Sequence, residues 1–411
     1  MFTDGRRWLG ITGMTGSNRT APPIEAAIGH FAPVAAEVAR GAEALIESIT
    51  EAIREEIPSC RMVPNAVLRD AVSAQVRRGL ESSLRDAAPS PSDLEEAAVI
   101  AREATEFGVP IEDQLQAIRV GVRLYWAECV QAAATHDLDP TTLICASEPI
   151  WRWADGIGLA FARGHREASL EEAEHLERER SAFLIGLLHG SLAGPDLLTG
   201  AAVHRLALDV EYLPLRARAI GSASRPFLCE RAIRHAFGPA EGVMFCPHDG
   251  ELIGIVPRRP AIDEPGVIIG LGQPTPVERI APSYREAVRA LEVASRFGLR
   301  GTFDLADLSL RTPVATDTML GERLVARYLE PFRDGSHAGA QLERTLRAYL
   351  EAGLCGEAAA RVLGVHPNTV RNRLRRIEGL IDLRLRDPAQ LAELWWAVQY
   401  DRIAGEAERD L

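Results

Sequence analysis

Residues 356–377 read GEAAARVLGVHPNTVRNRLRRI. The first eight carry a short helix pattern that ends at Gly364. Val365 and His366 follow, and Pro367 stands where a second helix can begin. Proline's fixed φ suits the first helical position, and its missing N–H is not needed there. The second helix is expected over 367–379. Two helices joined by a tight turn need a small residue where they cross, a glycine in the turn and an apolar anchor on the second helix. Ala360, Gly364 and Val370 supply these, four and then six residues apart. Val370, Leu374 and Ile377 recur at helical spacing and form an inner stripe. The segment therefore reads as a helix-turn-helix. His366, Asn368, Thr369, Arg371, Asn372, Arg373, Arg375 and Arg376 are left on the other faces as the expected DNA-binding residues. Arginine reads guanine edges, asparagine reads adenine edges, and threonine meets bases, phosphates or a thymine methyl.

The composition sharpens that reading. The 411 residues carry a formal net charge of −12, so the protein as a whole repels nucleic acid. A DNA contact must come from a local basic patch. Between Arg361 and Arg376 there are five arginines and no Asp or Glu, which is such a patch. Lysine is absent throughout. That excludes a phosphate-binding P-loop lysine and a Schiff-base lysine. Cys60, Cys129, Cys145, Cys229, Cys246 and Cys355 are scattered, with no spacing that suits a metal. They read as reduced thiols, and neither a metal nor a cofactor is expected. Residues 1–22 lack the apolar core of a signal peptide and read as a disordered arm. No stretch approaches the ~18 apolar residues of a spanning helix. The expected location is the cytoplasm, with no membrane partner.

Outward from the motif, Leu342, Leu346, Tyr349 and Leu350 form an apolar stripe before it. Leu391, Leu394, Trp395 and Val398 form another after it, and the Trp395–Trp396 pair reads as core plus partner surface. Residues 197–310 have an α/β pattern. Strands are expected at 217–221, 242–246, 251–256 and 266–271, and helices at 226–237 and 283–297. Pro247-His248-Asp249-Gly250 reads as a hairpin turn. Residues 24–180 are helical in pattern, with Val34, Val38, Ala42, Leu45, Ile49 and Ile53 on one face. Prolines fall between the periodic segments, and a helix start is expected at Ser92-Asp93. Residues 165–188 are dense in charge of both signs, with Leu170, Ala173, Leu176, Phe183 and Leu187 recurring. That run reads either as a solvated helix or as a short coiled coil between protomers.

The C-terminal run resembles the PucR/CdaR family of bacterial regulators. The resemblance rests on Leu342 to Leu350, Ala358 to Leu363, and the string from Val365 through His366, Asn368, Thr369, Val370, Arg373, Leu374 and Ile377. Pro367 and Asn372 depart from the family pattern, which usually has Arg and an aromatic there. The middle region is similar to that family's GGDEF-like domain, through residues 267–272, Ser283 to Ala287 and the hairpin at Asp249. The glycine pair of a working cyclase is missing, and Gly250 stands where its metal carboxylate would be, so the resemblance implies dimerisation or relay. The N-terminal region is similar to the globin-like helical domain of RsbR-type stress regulators, through residues 53–58 and 108–115, then Arg119 to Gly121 and Trp126.

The expected fold is thus multidomain. A globin-like all-α sensor domain over 23–165 is followed by a linker helix over 166–195. A GGDEF-like α/β domain over 196–312 leads through a connector at 313–336 to an all-α helix-turn-helix domain over 337–411. The expected function is that of a non-enzymatic, effector-responsive transcription regulator. Its partners are operator DNA, at least one further copy of itself, and a small-molecule or protein effector at the N-terminal domain. Two rivals stand beside this. One is an enzyme, either a nucleotide cyclase or a haem protein using His30, His136, His165 or His175. The other is a stress-signalling scaffold acting through protein contacts, which would not need the arginine-rich helix.

Overall fold

The computed structural model describes residues 24–85, 88–192, 194–220, 226–237, 242–262 and 266–407. The arm expected over 1–22 lies outside them. The chain divides into two units, Met1–Leu176 and Glu177–Leu411.

The first unit is helical. It contains α1 (Ile24–Arg40), α2 (Ala42–Glu56), α3 (Asn65–Arg85), α4 (Pro91–Glu106), α5 (Ile111–Thr135) and the first part of α6 (Pro140–His189). The apolar series Val34 to Ile53 is continuous in period, yet the chain breaks at Gly41, which separates α1 from α2. Val34, Leu45, Ile46, Ile49 and Ile53 then meet Val120, Cys129 and Ile150 in one core. α4 begins one residue before the expected start. Ser90 caps it and Asp93 returns the bond to the Ser90 backbone N–H, with Pro91 in the first turn. α6 runs unbroken for 50 residues, with Pro149 inside it, so no helix boundary marks position 165. Burial pushes the Cys129 thiol up to about 12 and raises that of Cys60, as suits inert core thiols.

The second unit begins within α6 and adds α7 (Pro195–Val203) before a mixed sheet. Its strands are β1 (Glu211–Ala219), β2 (Met244–His248), β3 (Glu251–Val256), β4 (Val267–Leu271), β5 (Thr275–Pro276) and β6 (Gly301–Phe303). The order is β2-β3-β1-β4-β6, with β5 on the end of β1. Only β4 and β6 run parallel. β2 and β3 form the expected hairpin, pairing His248 with Glu251 across Asp249 and Gly250, both at positive φ. The strand expected at 217–221 in fact starts at Glu211, six residues earlier, despite Pro214. β5 and β6 are too short to leave a period in the sequence.

Alternate residues face opposite sides of this sheet. Leu215, Ala217, Leu252, Val256 and Ile269 meet α8 (Pro226–Phe237) through Cys229 and Ile233. Met244, Cys246, Ile253 and Ile255 meet the last turns of α6 and α9 (Ile280–Arg296) through Leu184, Leu188, Tyr284 and Ala287. The two glycines of Gly270-Leu271-Gly272 have a packing explanation. A Cβ at Gly270 would strike the backbone at Ala287 and Leu291, and one at Gly272 would strike Ser283, so α9 lies directly on the strand.

The remainder is helical: α10 (Leu305–Leu308), α11 (Arg311–Thr316), α12 (Thr318–Tyr328), α13 (His337–Glu351), α14 (Gly356–Leu363), α15 (Pro367–Leu380) and α16 (Pro388–Ala407). The segment expected as a connector, 313–336, is itself mostly helical. Its Leu324, Tyr328, Leu329 and Phe332 share a core with Leu342, Leu346, Ile377 and Leu394. Trp395, Trp396, Tyr400 and Ile403 on α16 pack with Phe297, Leu308 and Val314. Both tryptophans are therefore packed within the chain.

Candidate nucleic-acid interface

α14 and α15 are held by a small hydrophobic centre. Ala359, Ala360 and Val370 are buried against Ala348 of α13, with Leu363, Val365 and Leu374 around them. Val370 and Ile377 are fully buried on α15, and Leu374 joins this centre to the larger core behind. Between the helices Gly364 takes φ 64° and ψ 33°, a left-handed conformation that a Cβ disfavours. Its N–H and that of Val365 bond to the last turn of α14, closing the helix end. The turn then needs an N-cap. His366 provides it, its Nδ1 accepting from the Asn368 N–H at 3.2 Å, with Pro367 in the first turn.

Ala360 is only 2% exposed, where α14 crosses its neighbours. Ala360→Leu would force these helices apart. We expect it to cost about 1–3 kcal/mol of stability and to abolish DNA binding by tilting α15. Thermal melting alongside a gel-shift assay checks this, and a variant that binds DNA normally would show the register to be wrong.

The polar residues of α15 fall into three groups. Asn368, Asn372 and Arg375 are exposed, and at ~100° per residue they lie opposite the Val370–Leu374–Ile377 stripe. Arg371 and Arg376 are exposed on either flank of that face, and Arg371 Nη1 donates to Asn368 Oδ1 at 3.3 Å. Thr369 and Arg373 are half-buried at its edge. Arg373 differs from the sequence expectation. Its guanidinium turns inward, donating to Gln341 Oε1 at 2.8 Å and Thr345 Oγ1 at 3.2 Å on α13. Position explains the difference, because residue 373 lies one place before Leu374 on the buried side. Thr345 is fully buried and gives its own proton to the Gln341 carbonyl. Sequence reasoning missed Gln341 and Thr345. The one available signal was a polar residue inside the Leu342–Leu346 apolar stripe.

Acidic groups near α15 are occupied. Glu378 accepts from the Leu385 N–H at 3.0 Å and so closes the segment after the helix. Glu343 and Asp401 hold Arg333 and Arg347 and brace α13 against α16. Tyr328, half of another brace, donates to Glu393; burial first and that carboxylate second push its hydroxyl up to about 12. Arg371, Arg375 and Arg376 of α15 are thus the ones presented outward.

Residues 342–400 match the model of the PucR C-terminal helix-turn-helix domain, and residues 43–180 match that of the RsbT co-antagonist protein rsbRD N-terminal domain. The C-terminal domain is thus of the PucR type, as in PucR/CdaR-type regulators. Other similarities are partial. Uncharacterized proteins of Mycobacterium tuberculosis and Mycobacterium bovis are 44% identical over 86 residues, which is 19% of this chain and 20% of theirs. The chain thus spans about a fifth of those mycobacterial relatives. An uncharacterized protein in the pkwA 5′ region of Thermomonospora curvata is 31% identical over 134 residues, 32% of this chain and 73% of that one. Among solved structures, a regulator of polyketide synthase expression from Bifidobacterium adolescentis is 19% identical, with a TM-score of 0.25, covering 55% of this chain and 98% of that one.

The sheet carries a second polar cluster. Glu251, at the start of β3, is 7% exposed and accepts from Arg216 and Arg218 of β1. Arg218 also donates to Ser295 of α9 at 3.2 Å. Asp249, in the hairpin turn, is exposed beside His248. Among the described residues, no group of three or more His, Cys, Asp or Glu is placed to hold a metal ion. None of the described helices is long and apolar enough to cross a membrane.

Proposed function

We propose that this chain is a sequence-specific, effector-responsive transcription regulator that places α15 in the major groove as a dimer. The observation that carries the proposal is the outer face of α15. Asn368, Asn372 and Arg375 stand opposite the buried stripe, flanked by the exposed Arg371 and Arg376. Asparagine and arginine are the side chains that pair bidentately with adenine and guanine in that groove. His366, at the N-cap, and Thr369, beside it, suit backbone contacts. Arg373 then works as a brace that fixes the angle of α15 rather than as a reader. One such helix buries too little surface for useful specificity, so paired half-sites are needed.

The remaining parts take the roles expected of them. The helical domain over 23–165 is globin-like and senses. The stretch 166–195 links it to a GGDEF-like domain over 196–312. The segment 313–336 packs with the helix-turn-helix domain over 337–411 and moves with it. Leu170 and Leu176 stand exposed on α6 and favour pairing with a second copy there. The GGDEF-like domain is a relay and not a cyclase, because Glu251 is committed to two arginines and Gly250 supplies no carboxylate. The protein works in the cytoplasm, where its operator is.

Selection of bound duplexes from a random library by the full-length protein tests the DNA reading. The expected result is an inverted repeat with half-sites about 10 base pairs apart, or a multiple, bound by a dimer. Light scattering reads the mass. Absence of sequence enrichment, or a monomer both with and without DNA, would overturn the proposal.

A further inference from the structure

The helical N-terminal unit contains a cavity of about 140 Å³. Its wall is almost wholly apolar, built from α2, α3, α4, α5 and α6. Gln75, Gln114 and Trp153 interrupt it, together with the Tyr125 hydroxyl and the exposed Glu103. Gln75 lines it with both amide atoms buried and no partner within the protein. Trp153 is 9% exposed, and its indole N–H is likewise without a partner. Gln114 is 2% exposed. Its Nε2 donates to the Val109 carbonyl at 2.9 Å and to Thr105 Oγ1 at 3.1 Å, but its Oε1 has no partner. Gln75 lies one helical turn before Gly79, against which the Trp153 ring packs at 3.6 Å from where a Cβ would stand. The Gln75 amide and the Trp153 indole line the same cavity.

Buried polar atoms in an apolar wall are costly unless something bonds to them. Their types define what would. Trp153 offers a donor, Gln114 Oε1 an acceptor, and Gln75 one of each. A hydroxyl donates one hydrogen bond and accepts two, so it meets the Trp153 and Gln75 N–H groups and one of the two amide oxygens, whereas a ketone or a hydrocarbon donates none. Charge is selected against. The wall contains no Arg or His, and its one carboxylate, Glu103, is exposed. A carboxylate ligand would enter without a cation to pair it. Size sets the last limit. A cavity of ~150 Å³ lined by apolar side chains takes a benzene ring. A porphyrin is several times too large, and none of His136, His165 and His175 lines the space.

We propose that this cavity binds a small, uncharged, hydroxyl-bearing ring compound of the phenol class, held by Gln75, Gln114 and Trp153. The cavity stands on its own geometry; only the name effector for its ligand rests on the regulatory reading above.

Calorimetry on the DNA-free full-length protein tests the proposal, with phenol, benzene and benzoate as probes. Phenol is expected to bind saturably at one site per chain, and benzoate not at all. Gln75→Leu should weaken phenol at least tenfold while leaving benzene within twofold. Ala117→Leu, which fills the cavity from α5, should remove both. Trp153→Phe keeps an aromatic ring while removing the N–H with part of the indole, so it serves if either other variant fails to fold, and should weaken phenol more than benzene. No saturable binding of phenol, equal binding of benzoate, or phenol affinity indifferent to Gln75→Leu and Trp153→Phe would overturn the assignment. DNA binding is measured separately without phenol, so a failed cavity leaves the helix-turn-helix reading standing, and the reverse.

Discussion

Gly270→Val is expected to lower the melting temperature of the protein by roughly 10 °C. The reason is backbone against backbone. A Cβ at residue 270 of β4 would fall on the Ala287 carbonyl and the Leu291 N–H of α9, and neither can swing aside as a side-chain tip can. α9 would have to lift from the sheet, separating Ile268 from Leu291 and Ala294, which are fully or nearly fully buried there. Overpacking costs about 1–3 kcal/mol where neighbours can adjust, and the upper end applies here. For a unit of this size each kcal/mol moves the midpoint by about 2–4 °C. Gly379→Ala is the contrast. Open space surrounds Gly379 near the end of α15, and the change should stabilise by about 0.5–1 kcal/mol. Differential scanning calorimetry separates the two. A Gly270→Val protein that melts within 2 °C of the parent, at the ~2–4 °C per kcal/mol above, would mean that α9 does not lie against β4 as described.

The same glycine shows where the sequence was readable and where it was not. Gly270-Leu271-Gly272 invites a nucleotide-loop reading by residue type, and only the placement of α9 reveals the glycines as packing contacts. Features governed by local chemistry were legible. Gly364 was expected to adopt a backbone state that excludes side chains, Pro367 to open a helix and Asp249-Gly250 to turn a hairpin, and all three do so. Val370, Leu374 and Ile377 were legible because helical period alone puts them on one face. Arg373 was not, since its direction depends on Gln341 and Thr345, which lie about 30 residues earlier and on another helix. β1 starts six residues before the expected 217 and passes through Pro214, whose carbonyl accepts from the Gly272 N–H at 2.9 Å. The segment 313–336 was read only as a connector, because the partners of Leu324, Tyr328 and Phe332 in the helix-turn-helix core are distant in sequence.

Removing both Arg371 and Arg376 should have the largest effect on DNA affinity and a distinctive salt signature. Both are exposed on the flanks of α15, where a helix seated in the major groove meets the two phosphate backbones. Each phosphate contact contributes close to one unit to the slope of log affinity against log salt concentration. In a dimer the double Ala variant loses four such contacts, so the slope should fall by about 4. Near physiological salt, affinity should drop at least ~100-fold, and equally for specific and random duplexes. Asn372→Ala should behave in the opposite way. Asn372 sits on the outer face between the flanks, so its loss should cost about 1–3 kcal/mol at one base pair per half-site and relax preference there. The salt slope should stay unchanged, because no phosphate contact is lost. Arg373→Ala should differ from both, weakening binding together with a lower melting temperature, since it frees α15 from Gln341 and Thr345. Fluorescence anisotropy at several salt concentrations, with matched and mismatched duplexes, reads all three behaviours. If Asn372→Ala flattened the salt slope while the Arg371 and Arg376 variant changed only sequence preference, the two groups would have exchanged roles and α15 would lie in the groove rotated from the orientation proposed.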